Sequence, residues 1–316
     1  MQILTDSVQL FLDHCEFERN FSRHTIKAYR LDIRQFTRFS AKKFEAEAPS
    51  RTEPVHLREY TRSLQCYKPR TQRRKLAAIK SLFGFLEREG IVQPNPARNL
   101  RLNIRLGRIL PRTVSLSTLR AFFHELYKNH NTESRRAPSG KLATRDIALF
   151  ELMFSSGMRV SEISNLRAGS VDLKRRAIVV QGKGNKERLI PICDSEVHSA
   201  LLAHTKLQGT SRNEDAFFFT NRFGRRLSEQ SIRMTLRRHA KAARVEKLTP
   251  HVFRHTVATL LLEQGVDLRF IQTFLGHSSI VTTTIYAHVN DKSQREVLTR
   301  RHPRRLLGRR QSFSDP

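Results

Sequence analysis

Residues 248–261 read LTPHVFRHTVATLL. Thr249 is a strong N-cap and Pro250 suits the first helical position, so a helix should begin there. At about 100° per residue, Phe253, Val257 and Leu260 share one face, while His251, Arg254 and His255 gather on the opposite side. The polar trio is therefore expected outside the apolar stripe. His251 and His255 have the i, i+4 spacing of zinc helices, but the general-base glutamate of HExxH is missing, Arg254 would sit beside the cation, and the helix start adds positive potential. No metal is expected. Free backbone N–H groups, an arginine fork and an imidazole donor suit a phosphate instead. Taken alone, the stretch reads better as a surface helix start with solvated polar residues.

Three other stretches give it company. In QTFLGHSSIVTTTIYAHV, residues 272–289, Gly276 ends a helix, His277 sits in the turn, and Tyr286 falls on the next short helical segment. SSGMRVSEISNLR, residues 155–167, puts Arg159 after Gly157 at a helix start, where pairing with Glu162 is the plain alternative. AIVVQGKGNKERLIPI, residues 177–192, has two β-branched runs around a Gly-Lys-Gly-Asn turn, a hairpin signature that sets Lys183 between Gly182 and Gly184.

Composition narrows the partners. Lysine and arginine total 58 against 29 acidic residues, a formal charge of +29 and an isoelectric point near 11.2. This charge runs along most of the chain, so an anionic partner must offset its self-repulsion, and nucleic acid leads. No apolar stretch approaches ~18 residues and no basic-then-apolar leader opens the chain, so a membrane partner is not expected and the protein should be cytoplasmic. Cys15, Cys66 and Cys193 are odd in number and lack ligand spacing, which favours a reducing compartment without disulfide or structural zinc.

A length of 316 residues suggests two domains. Four apolar stripes mark the first: Val8, Phe11, Leu12 and Cys15; Ile26, Tyr29, Ile33 and Phe36; Val55, Tyr60 and Leu64; and Leu76, Ile79, Leu82, Phe83 and Leu86. Ser22, Glu53-Pro54 and Lys68-Pro69 punctuate them, so a four-helix domain is expected over residues 1–105. A basic linker at 106–112 leads to a second domain at 113–299, and a basic tail of small core-forming content fills 300–316. Within the second domain RRAPSGK, residues 135–141, reads as a loop, and DAFFFT, residues 215–220, as a short strand or a helix entry.

Together these motifs resemble the tyrosine recombinase (phage integrase-like) family, and most closely its Xer-like branch. HVFRH, LGHSS and TTTIYAHV look like its carboxy-terminal signature, SSGMRVSEISNL its first-arginine motif, and GKGNKERLIPI its lysine hairpin. NPARNL and RILP resemble its interdomain segment and RRHPR its tail, in matching order and spacing. Phe253 and Val257 stand where Leu and Phe are more usual, and Thr284 where Gln is common.

The resemblance implies a mainly α fold with a small β-hairpin or sheet. A four-helix core-binding domain and a mixed α/β catalytic domain would form a C-shaped clamp on DNA. It implies catalytic roles for Arg159, Lys183, His251, Arg254, His277 and Tyr286, with Tyr286 as nucleophile and neither cofactor nor ATP. A 3′-phosphotyrosyl link, a Holliday junction and a homo-tetramer in the synaptic complex would follow, from a chain compatible with a monomer in solution. Double-stranded DNA sites are the expected partner; a second recombinase or an accessory protein is left open. Arg70, Arg73, Arg74 and Lys80 are candidate DNA contacts beside an apolar stripe, although each alone fits an ordinary solvated face. The tail would dock on a neighbouring protomer or grip phosphates. A type IB-like topoisomerase, a telomere resolvase or an idle DNA-binding protein on this scaffold are the alternatives.

Overall fold

In the computed structural model the chain divides into two units, Met1–Ile109 and Leu110–Pro316. The structure describes residues 2–45, 51–101, 104, 113–132, 138–182, 187–209, 213–276 and 291–308.

Each apolar stripe of the first unit becomes a helix. They are α1 (Gln2–Asp13), which runs on into a π-helical turn (His14–Glu18), α2 (Arg23–Phe44), α3 (Pro54–Ser63) and α4 (Pro69–Arg88). The Ser22 hydroxyl accepts the Thr25 N–H at 3.3 Å, and the Glu53 N–H donates to His56 Nδ1 at 3.1 Å, so polar caps satisfy the first turns of α2 and α3. Phe11, Ile33, Phe36, Tyr60, Leu76, Ile79, Phe83 and Leu86 fill one core. The third stripe departs from expectation. Val55 is 40% exposed, and Leu57 takes the inward position with Tyr60 and Leu64. Val55 lies about 200° around the helix from Leu57, and the i, i+3, i+7 set is the one that faces the core.

The second unit is built on α6 (Pro138–Ser156), whose Phe150, Met153 and Phe154 are fully buried. It packs against α5 (Leu116–Thr132), α8 (Ser195–Gln208) and α10 (Pro250–Glu263). Phe122, Phe150 and Phe253 join three of these helices edge to face, with ring centroids 5.5–5.6 Å apart. Around this core lie α7 (Val160–Ser164), α9 (Glu229–Ala242), α11 (Leu268–Leu275) and α12 (Asp291–Arg301). Strands β2 (Ala177–Gln181) and β3 (Glu187–Pro191) pair antiparallel as the hairpin pattern predicts, with Val180 opposite Arg188. A two-residue strand, β1 (Val171–Asp172), extends the sheet to the order β1-β2-β3.

Three expectations are corrected. Pro138 to Lys141 belong to α6 rather than to a loop, consistent with proline's fitness for a first helical turn. DAFFFT is neither strand nor helix: Phe217 bridges Arg167 and Thr220 bridges Arg226 singly, while Phe218 and Phe219 turn into the core. The tail through Leu307 is core-forming, since His302, Pro303, Arg304 and Leu307 are buried around a 3₁₀ turn (Pro303–Leu307). Its burial depends on a carboxylate, Glu151, that composition alone could not assign to Arg304. Among the described residues no helix is long and apolar enough to cross a membrane.

Candidate active site

The end of α11 organises the site. A helix leaves its last carbonyls without intrahelical partners, and the aligned peptides give that end partial negative charge. Gly276 terminates α11 in the left-handed region, φ +68°, a conformation that favours glycine. Three guanidiniums converge on three successive carbonyls. Arg188 Nε donates to Phe274 O at 3.2 Å, Arg254 Nη2 to Leu275 O at 2.6 Å, and Arg159 Nη2 to Gly276 O at 2.5 Å.

Each arginine arrives from a different element. Arg159 is the N-cap of α7 and follows Gly157, whose φ of +58° turns the chain out of α6. Its own N–H donates to Glu162 Oε2 at 2.7 Å and its Nη1 to Oε1 at 2.9 Å. Arg254, the fifth residue of α10, also donates from Nη1 to Gly157 O at 2.7 Å. Arg188, on β3, forks onto Glu162 with Nη1 to Oε1 at 3.0 Å and Nη2 to Oε2 at 2.8 Å.

The opening helix therefore needs a correction. Arg254 is 7% exposed and lies within the packed structure, whereas His251 and His255 are exposed. Arg254 follows Phe253 by about 100°, at the edge of the apolar arc, and its long stem carries the guanidinium inward to the carbonyls. Lys183, His277 and Tyr286 lie outside the described residues. In sequence, Lys183 belongs to the β2–β3 connection and His277 directly follows Gly276.

The phage integrase family is matched over residues 123–293, and the phage integrase N-terminal SAM-like domain over residues 8–90. The chain belongs to the phage integrase family. It is a tyrosine-type site-specific DNA recombinase. This tyrosine recombinase is 36% identical to a tyrosine recombinase of Agathobacter rectalis over 96% of its own length and 99% of the relative's. It is 37% identical to the tyrosine recombinase XerC of Thermodesulfovibrio yellowstonii, covering 93% of this chain and 95% of that one. The fold is shared with XerH bound to a palindromic difH substrate in a post-cleavage complex, at TM-score 0.68 and 23% identity over 92% of this chain and 84% of that one. It is shared also with a lambda integrase(75-356) dimer bound to a COC′ core site, at TM-score 0.65 and 16% identity over 87% and 95%.

Electrostatically, the recombinase sets two guanidiniums, Arg159 and Arg188, on the one carboxylate of Glu162 and holds a third, Arg254, on carbonyls of the same site, a local excess of positive charge suited to an oxyanion. Burial opposes ionisation of Glu162, but Arg188 and then Arg159 outweigh it and hold the carboxyl below its ordinary value. Burial, and after it the charge of Arg159, brings Arg254 down to about 10, so it still carries its proton at neutral pH. Arg159 and Arg254 each retain N–H groups beyond those used here, because a guanidinium carries five.

Sequence reasoning named Glu162 only as a plain partner and passed over Arg188. A signal existed: Arg188 shares a strand face with Ile190, which is buried, and a cation on an inward position calls for a carboxylate. On the recombinase's first unit, Arg70, Arg73, Arg74 and Lys80 are exposed along α4. Arg74 also pairs with the buried Asp32 of α2, and Lys80 donates to Leu100 O at 3.1 Å.

Proposed function

We propose that this recombinase cleaves one DNA strand with Tyr286 as nucleophile, forms a 3′-phosphotyrosyl link with a free 5′-hydroxyl, and rejoins strands through a Holliday junction. The observation that carries this reading is the convergence of Arg159 and Arg254 at the α11 end, immediately before His277. In-line attack on a phosphodiester builds negative charge on the non-bridging oxygens of the transition state. Two arginine forks placed for those oxygens each contribute about 10² to 10³ in rate by analogy with single oxyanion donors.

A tyrosine with a pKa of about 10 is ionised roughly once in a thousand molecules at neutral pH, a deficit of about 4 kcal/mol for a phenolate nucleophile. Cationic surroundings and proton transfer concerted with attack offset it. His251 assists as base or as phosphate donor, and His277 hydrogen-bonds the phosphate or orients Tyr286. Lys183, between two glycines, protonates the departing 5′-oxygen as general acid. The covalent bond stores the phosphodiester energy, so a 5′-hydroxyl of a partner duplex can attack it without ATP.

Arg70, Arg73, Arg74 and Lys80 hold DNA, with 1–105 as core-binding domain, 106–112 as linker and 113–299 as catalytic domain. A homo-tetramer would bring two double-stranded sites together in the cytoplasm, to resolve dimers or cointegrates or to integrate a mobile element. The test is a nicked suicide duplex bearing the site. Wild type should form a covalent adduct and Tyr286→Phe should not; an adduct in the Phe variant removes Tyr286 as nucleophile. Exchange between two sites, rather than relaxation of supercoils alone, separates this reading from a topoisomerase. Lys183→Ala should be rescued by a 5′-thiolate leaving group, and no rescue would count against the general acid.

A further inference from the structure

We infer that Arg188 is a positioning residue for strand cleavage, a role that rests on the proposed function and acts through Arg159 and the α11 end rather than by touching DNA. One guanidinium joins three segments. Two of its nitrogens hold both oxygens of Glu162, which in turn holds the backbone and side chain of Arg159. Its Nε holds Phe274 O, two residues before Gly276. Because Arg188 sits on β3, which pairs with β2, it also ties that strand pair to the other two segments.

Gly276 makes room for this. A Cβ built there would lie 3.1 Å from Arg188 Nη1 and 3.3 Å from its Cζ, tighter than ordinary contact. The glycine thus serves twice, through its left-handed backbone and through the absent side chain that lets the guanidinium lie against the turn. Glu162 is the second reason the brace matters. A buried carboxylate with Arg159 as its only cation would draw that guanidinium fully onto itself. Sharing it with Arg188 leaves Arg159 donors for Gly276 and for an oxyanion.

The test compares full-length wild type, Arg188→Gln and Arg188→Lys in single-turnover cleavage of the suicide duplex at saturating DNA. Affinity for the uncleaved duplex is measured in parallel. Arg188→Gln should cleave about 10²-fold more slowly, the effect of small misplacement of reacting groups, with affinity changed by less than about threefold. Arg188→Lys keeps a cation beside Glu162, and so the fold, but one ammonium cannot replace the planar fork; it should recover at most about a tenth of the wild-type rate. Wild-type cleavage by Arg188→Gln, full recovery by Arg188→Lys, or a loss confined to affinity would overturn the assignment.

Hydrogen exchange judges the brace without any reaction. In Arg188→Gln, exchange should rise together in residues 157–166, 187–191 and 268–276; a rise in 187–191 alone overturns it. If wild type forms no adduct, the proposed function fails while this exchange result still decides the brace.

Discussion

Arg304 and Glu151, 153 residues apart in the chain, meet with both side chains fully buried. Arg304 Nε donates to Glu151 Oε2 at 2.6 Å and Nη2 to Oε1 at 2.8 Å, and the Tyr127 hydroxyl donates to Oε1 at 2.6 Å. Burial works against the charge on Arg304, yet Glu151 more than compensates and raises its pKa above the ordinary arginine value. Breaking such a pair leaves one charge buried alone. Arg304→Met should therefore lower stability by about 3–5 kcal/mol in urea denaturation. Adding Glu151→Leu should restore part of the loss, the recovery being limited because the Tyr127 hydroxyl loses its Glu151 acceptor. An unchanged midpoint in the single variant would sink this account.

Arg254→Lys tests shape against charge. A lysine retains the charge but cannot serve the carbonyls of Gly157 and Leu275 and still donate to an oxyanion. Suicide-substrate cleavage should fall about 10² to 10³-fold. Equal cleavage by the two proteins would mean that charge alone suffices.

His302 gives the fold a pH signature. Its Nδ1 accepts the Arg304 N–H at 3.2 Å, so its Nε2, 2.9 Å from Ser155 O, carries the proton of a neutral ring. Burial lowers its pKa, aided by Arg304, although the Ser155 carbonyl, Asp194 and Glu151 favour the charged form. An unfolded histidine takes up a proton below about 6.5 while the folded ring resists. The unfolded state then binds more protons, so stability is full above that pH and falls as pH drops through and below it. Glu162 and Asp146 have depressed pKa values, so their contributions persist down to about pH 4 and are lost below it. Thermal denaturation against pH should show the first decline between roughly 6.5 and 4.5. His302→Asn should be less stable overall and lack part of that slope; parallel curves would remove the histidine as its source.

Arg70 and Arg73 are exposed near the start of α4 and form no side-chain ion pair with the described residues, so of the four candidates on this helix they test DNA contact most directly. If both touch phosphates, Arg70→Ala/Arg73→Ala should flatten the slope of log affinity against log salt by about 1.8, with weaker binding to all sequences. An unaltered slope assigns DNA contact elsewhere.

The helices of both units were largely legible because their cores follow the 3.6-residue period: Leu76, Ile79, Leu82, Phe83 and Leu86 are all buried, as the stripe requires. The caps at Ser22 and Thr249 were legible for a local reason, since each hydroxyl accepts an N–H only three residues on. What escaped depends on distant partners. Val55 was mistaken because a ten-residue helix gives its first turn little periodic context. The burial of Arg304 required Glu151, and the inward turn of Arg254 required carbonyls of α11 and of the turn after α6, none of which a local pattern contains. Motif resemblance pointed to Arg159 and Arg254, whereas Arg188 became visible only when β3, α7 and the end of α11 were seen to share one guanidinium.

The gathering of Arg159, Arg188 and Arg254 around Glu162 also has a thermodynamic side. The single charge of Glu162 cannot balance three guanidiniums, so they still repel one another, and the pKa of Arg254, lowered first by burial and then by the charges of Arg159 and Arg188, records part of that tension. A phosphate entering this group relieves it, and by linkage any ligand favoured by the folded state stabilises that state. DNA would then act on this recombinase as a folding ligand as well as a substrate, and the chain would be most tightly folded when it is engaged with a strand.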